Sequence, residues 1–341
     1  MSGSIDLAIG LVLLGGFLQG SFALPMKRMT RWRWETTWLV YSVAGMLLLP
    51  WIMVFVTVPH FGLVLAGAPG ATIAEVVLFG FGWGVGSTLF GLGISRVGMA
   101  LSFAIILGIT ASLGSLLPLV VFHPNELFTP QGYALIAGLA IVVLGIVVCS
   151  VAGHRREREL SSQTTQRGGA SFWLGLVICI LSGIFSAMLN FSFVFGKDLQ
   201  QAARAAGATQ AMSSNLIWAL ALSAGFLANA GYCIYLLRKN RTWGVLTQAD
   251  ISANYWLGAV LMGAVWFFGI AFYGMGATGL GDLGAVLGWP VFMAMNITAA
   301  NVWGAATGEW KGASRRTYGY SWAGVLVLLV AIYVISHASA L

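Results

Sequence analysis

The chain has 341 residues, 59% of them hydrophobic and only 8% charged, against about 25% charged in an average soluble domain. Seventeen basic and ten acidic side chains cannot cover a globule of this size, so a water-soluble fold is excluded and most of the surface must face lipid. The formal net charge of +7 points to no nucleic-acid partner, because the basic residues sit in short loops between apolar runs. Cys149, Cys179 and Cys233 all fall within apolar stretches, without a C-x-x-C pair or a nearby His, and read as small buried hydrophobes.

A spanning helix needs about 20 mostly apolar residues, and that template predicts ten. They run from 5 to 24, 36 to 58, 72 to 95, 98 to 121, 131 to 152, 171 to 195, 209 to 237, 254 to 276, 281 to 305 and 318 to 338. The first lacks a basic n-region and a small-residue cleavage site, and is read as a retained helix. Fifteen of the seventeen Lys and Arg fall in alternate loops, with only Lys197 and Arg204 on the other face. The positive-inside rule therefore predicts cytoplasmic basic loops and external termini.

The polar stretch His154 to Gly169 reads as an exposed cytoplasmic linker. It divides the chain into five-helix halves, 1–153 and 170–341, joined by 154–169. Five is odd, so two similar halves in series must enter the membrane from opposite faces, the inverted-repeat plan of many secondary transporters. An offset of 183 residues matches Gly80, Trp83, Gly86, Gly91 and Gly93 of the third segment, and Gly98 just beyond it, with Gly263, Trp266, Gly269, Gly274 and Gly276 of the eighth, and Gly281 just beyond it. The expected fold is thus an all-α integral membrane protein of ten transmembrane helices in two inverted five-helix repeats.

Small residues let membrane helices approach closely, and the glycine pairs of segments three and eight serve either tight packing or sliding. Trp83 and Trp266 lie near the middle of their helices. Each could simply fill the core, or could offer a flat apolar face and an indole N–H to a sugar ring. At depth the polar atoms are neutral: Gln19, Asn190, Asn215, Asn229, Asn296 and Asn301, with Ser87, Thr110, Ser186 and Thr298. Such groups suit a neutral polyol, although each alone could be interhelical glue.

Gln19, Trp83, Ser87, Asn190, Asn215, Trp266 and Asn296 are the candidate substrate-binding residues. Titratable groups inside a membrane are functional candidates by default, and Glu75 and Asp282, near external helix ends, are the candidates for proton coupling. Glu35, beside Arg31 and Arg33, is the candidate cytoplasmic gate. An intramembrane enzyme would need a nucleophile, an acid pair or a metal cluster at depth, which the midplane lacks.

Pro25-x-Lys27, Trp32-x-Trp34-Glu35-Thr36-x-Trp38 and Pro50-Trp51 resemble the opening of the bacterial L-rhamnose/proton symporter family. Further similar marks are Leu78-Phe79-Gly80 with Trp83-Gly84 and Gly86, Gly98-Met99, Gly108-Ile109-Thr110, Gly183-Ile184-Phe185-Ser186-Ala187, and Glu309-Trp310 followed by Arg315-Arg316. The resemblance implies the drug/metabolite transporter superfamily and uptake of L-rhamnose with a proton across the bacterial inner membrane. It carries over by position to Glu35 and Trp83. The expected function is therefore proton-coupled uptake of a neutral sugar by alternating access. The alternative is a metabolite or drug exporter or facilitator of the same superfamily.

Overall fold

The computed structural model describes residues 2–97, 99–160, 170–247 and 253–338, and among these every regular element is helical. Ten helices are long and apolar enough to cross a bilayer. They are α1 (Ser2–Ser21), α2 (Trp34–Thr57), α3 (Gly70–Val97), α4 (Met99–Phe122), α5 (Pro130–Leu160), α6 (Ala170–Phe195), α7 (Asn215–Lys239), α8 (Ala253–Gly279), α9 (Gly284–Ala306) and α10 (Arg315–Ala338). In hydrocarbon each backbone polar group must be paired inside the protein, and an apolar run of about 20 residues, twice the length of a spanning strand, meets this as helix.

Two departures from regularity follow from proline and from polarity. Pro50 lacks an N–H and its ring crowds the carbonyl four residues back, and α2 takes up that clash in a wider π turn over Val43–Leu48. Residues 154–160, expected in the linker, continue α5 as helix. Glu159 anchors this extension to the start of α10: it accepts the Ser314 backbone N–H at 2.6 Å and the Ser314 and Thr317 hydroxyls at 2.8 and 2.6 Å. The rest of the expected linker, 161–169, lies outside the described residues. The predicted seventh span begins six residues late, at Asn215.

Two short helices, Phe61–Gly67 and Lys197–Ala205, escape a template built on apolar length. The second buries Leu199 and Ala203, one turn apart, and turns its polar face outward.

Side-chain bonds sort the loops to two ends. At one end Lys27 reaches Thr307 and Glu309, Arg156 reaches Glu309, and Glu35 reaches Asn240 and Thr242. The opposite end joins Thr72 to Asp198, Gln200 to Thr278 and Lys197 to Asp282. Every described Lys and Arg except Lys197 and Arg204 belongs to the first, basic end.

The principal neighbours of α3 are α6 and α7, and those of α8 are α1 and α2. Likewise α4 lies against α5 and α6, and α9 against α10 and α1, while α2 meets α7, α4 meets α9 and α5 meets α10. Exchanging each helix for the one five places on reproduces this set.

Glycines set the spacing. A methyl at Gly84 would stand 2.5 Å from the Gly225 carbonyl oxygen of α7, and one at Gly263 would stand 2.8 Å from the Gly45 nitrogen of α2. Neither neighbour can yield, because both are backbone. Gly84→Leu should therefore cost at least the roughly 1 to 3 kcal/mol of ordinary overpacking, whereas Gly10→Leu, which meets nothing within 4 Å, should be neutral. Thermal unfolding of the purified variants in detergent checks this: a lower Tm for Gly84→Leu and an unchanged one for Gly10→Leu.

Candidate functional site

Between the helices a cavity of about 530 Å³ runs from Trp289 and Phe292 in the interior to Arg156, Glu157, Glu309 and Trp310 at the basic end. This is within the usual range of roughly 300–1,000 Å³ for small-molecule sites. Of the seven candidate substrate residues, Gln19, Trp83, Ser87, Trp266 and Asn296 line it.

Trp83 of α3 and Trp266 of α8 stack with ring centroids 5.4 Å apart and planes inclined by 25°. Tyr41 of α2 packs edge-to-face with Trp266, ring centroids 5.9 Å apart, which helps to fix the indole's plane. Behind Trp83 stands Gly225 of α7, where any side chain would strike the ring. The Trp266 indole is committed as well. With the Gln19 amide turned to suit its surroundings, its oxygen accepts the Trp266 Nε1–H at 2.6 Å and its nitrogen donates to the Trp266 carbonyl at 3.3 Å. Gln19 thus holds Trp266 in place while facing the same cavity.

The other amides divide by role. Asn229 is a hub: its Oδ1 accepts from Trp38 Nε1 at 3.1 Å and from Ser87 Oγ at 3.0 Å, and its Nδ2 donates to the Gly225 carbonyl at 3.1 Å. Asn296 of α9 and Ser186 of α6 line the cavity. Among the described residues neither takes a protein hydrogen-bond partner, so both keep polar atoms for a guest. Asn190 lies below the cavity. It accepts a hydrogen bond from the Tyr273 hydroxyl and donates to the carbonyls of Gly114 at 2.7 Å and Ala285 at 3.3 Å.

This amide joins α4, α6, α8 and α9 at one point, and Trp289 adds a bond from its indole to the Thr110 carbonyl at 3.0 Å. Together they form the floor that separates the cavity from a smaller one, about 190 Å³, at the opposite end. Asn215 is buried away from both and donates to the Thr57 hydroxyl at 2.8 Å.

The candidate acids lie elsewhere. Glu35 is 5% exposed and accepts from Asn240 Nδ2 at 2.8 Å and Thr242 Oγ1 at 3.2 Å, tying the start of α2 to the chain after α7. Glu75 is half-buried on α3 and faces neither cavity. Asp282 lines the smaller cavity and pairs with Lys197 at 3.6 Å, its side chain 90% exposed.

The cavity also draws on residues that the sequence reading did not single out. Tyr41, Met46, Ile270, Trp289 and Phe292 give it apolar walls. Arg156 and Glu309 stand at its mouth. The signal for Trp289 was its place inside the ninth apolar run beside Pro290, in the first half of its helix and not at the middle as Trp83 and Trp266 are. For Glu309 the one signal was the Glu309-Trp310 motif, which marked the family and not the site, because a loop carboxylate followed by Lys311, Arg315 and Arg316 looks interfacial. Among the described residues no cluster of His, Cys, Asp or Glu could hold a metal ion, and the three cysteines are free thiols.

A family model described as L-rhamnose-proton symport protein (RhaT) matches residues 1–340. Among curated relatives, the chain is similar to the L-rhamnose-proton symporter of Cronobacter sakazakii, 27% identical over 98% of each chain. Those of Yersinia pestis bv. Antiqua and Escherichia coli are 26% and 25% identical, again over 98% of each chain. A crystal structure sharing 15% identity superposes with a TM-score of 0.55 over 96% of this chain and 97% of its own, a likeness of fold alone. With the match running through all ten helices and the whole cavity lining, the chain belongs to the L-rhamnose-proton symport protein family.

Proposed function

We propose that the chain takes up L-rhamnose together with a proton across the bacterial inner membrane, by exposing one central cavity to the two faces in turn. The observation that carries this reading is the cavity itself: a fixed pair of stacked indoles beside neutral amide and hydroxyl groups, two of them without protein partners. A pyranose has an apolar C–H face and a rim of hydroxyls, and such a wall can take both. The 6-deoxy methyl group of rhamnose would find Tyr41, Met46 and Phe292 close by.

The two halves, 1–153 and 170–341, fit an inverted repeat, because the helix neighbours persist when each helix is exchanged for the one five places on. The polar lining supports the same pairing. Trp83 stands against Trp266, and Ser186 of α6 and Gln19 of α1, like Thr110 of α4 and Asn296 of α9, line the cavity from helices that exchange under the same operation. On the positive-inside rule the basic end is cytoplasmic. The floor made by Asn190, Tyr273 and Trp289 would then face outward and be shut, and the cavity would open inward.

Trp83→Ala and Trp266→Ala should each weaken L-rhamnose binding by about 1 kcal/mol, roughly fivefold in Kd. The second should cost more, because it also releases Gln19. Asn296→Ala should lose one hydrogen bond to the sugar, about 0.5 to 1.5 kcal/mol. Titration calorimetry in detergent checks all three, and unchanged affinity in both tryptophan variants would sink the aromatic platform.

In proteoliposomes an imposed inward proton gradient should accumulate labelled L-rhamnose, and a protonophore should collapse the accumulation to equilibrium. Entry that never exceeds equilibrium would contradict symport.

A further inference from the structure

Proton symport needs an acid that both the cavity and the moving parts can sense, and the interior of this cavity offers none. Among the described residues its only carboxylates are Glu157 and Glu309, both at the basic mouth. They differ in what they hold. Glu309 forms ion pairs with Lys27 and with Arg156, the latter at 3.3 Å. Lys27 sits on the 3₁₀ turn Leu24–Arg28 that follows α1, Arg156 on the end of α5, and Glu309 on the loop between α9 and α10.

One carboxylate therefore joins three separate segments across the entrance. Lys27 also donates to the Thr307 hydroxyl at 2.6 Å, and the Arg156 guanidinium lies 5.4 Å over the Trp310 ring, so both cations are held in position. Glu157 has no ion pair among the described residues, and its protonation would release nothing.

We propose that Glu309 carries the symported proton, exchanging it for its ion pairs with Lys27 and Arg156 as the mouth of the cavity changes shape. The assignment rests on the symport reading above. Adding a proton turns the carboxylate into a neutral acid, leaves Lys27 and Arg156 without their counter-charge, and frees the three segments from one another. Losing the proton restores the ties.

The local electrostatics run in the direction that release on the basic side requires. Partial burial acts to raise the Glu309 carboxyl, but the hydrogen bond and charge of Lys27, together with Arg156, outweigh it and hold the group below its ordinary value. Glu309 is therefore ionised and paired at neutral pH, and the ties are lost only as pH falls through that lowered value. Remove a cation and the burial remains, so the group takes up a proton at higher pH. The other charges near it are Glu157 on α5 and Lys311 on its own loop.

The test uses the full chain in proteoliposomes, with labelled L-rhamnose outside and a pH-sensitive dye within. Glu309→Gln should abolish gradient-driven accumulation and the acidification of the lumen that accompanies sugar entry. It should still exchange labelled for unlabelled sugar, which needs no net proton movement. Glu309→Asp should restore both proton-linked signals, while Glu75→Gln and Asp282→Asn should keep them throughout. Lys27→Met should move the pH midpoint of uptake upward.

Sugar-linked acidification by Glu309→Gln equal to the parent's overturns the proposal. Loss of exchange together with accumulation also overturns it, since Glu309 would then be a tie needed for any movement. If the parent chain itself moves no L-rhamnose, the symport reading falls first and takes this assignment with it.

Discussion

Two indoles can stack at 5.4 Å in the middle of a ten-helix bundle only if the helices that carry them are held against their outer neighbours. Nothing like the hydrophobic effect pulls helices together in lipid, so that closeness has to come from van der Waals contact between backbones. Gly84 against Gly225 and Gly263 against Gly45 provide it, on α3 with α7 and on α8 with α2. The same contacts leave a flat bed behind Trp83, and Gln19 fastens Trp266 from the other side. Glycine spacing is thus the condition on which the cavity wall, and with it the proposed sugar site, depends.

Polar groups at depth then do two kinds of work that their identities alone do not separate. Asn190 and Trp289 spend their hydrogen-bonding capacity on other helices and close one end of the cavity. Asn296 and Ser186 keep theirs facing the cavity. The split explains how one helix set can be shut at one end and accessible at the other. It also locates the energetic asymmetry between the ends: a hub of buried, neutral hydrogen bonds on one side, and exposed ion pairs around Glu309 on the other. Exposed pairs are individually weak, which suits a mouth that has to open and close.

Much of this was legible in the residues. Ten apolar runs of spanning length could be nothing but helices, and the alternation of Lys and Arg assigned their ends. The 183-residue offset placed Trp83 and Trp266 in matching positions before any contact between them was known. What stayed hidden was partnership. Asn190, Asn215 and Asn296 look alike along the chain, and only the neighbouring helices decide that one braces the floor, one braces α2 and one faces the cavity. Glu35 and Asp282 drew attention as acids near helix ends, yet the cavity's carboxylates come from a loop and from an extension of α5 that reads as linker. The short helix Lys197–Ala205 was missed because its nine residues, amphipathic and mostly polar, fall outside a template that looks for about 20 apolar residues.

The most direct test of the account is a diffraction structure of the chain grown with L-rhamnose. The sugar should lie in the central cavity, its ring against the Trp83–Trp266 pair and its hydroxyls within hydrogen-bond reach of Asn296 and Ser186. Sugar density confined to the smaller cavity beside Lys197 and Asp282, or a central site occupied with both indoles out of contact, would contradict it.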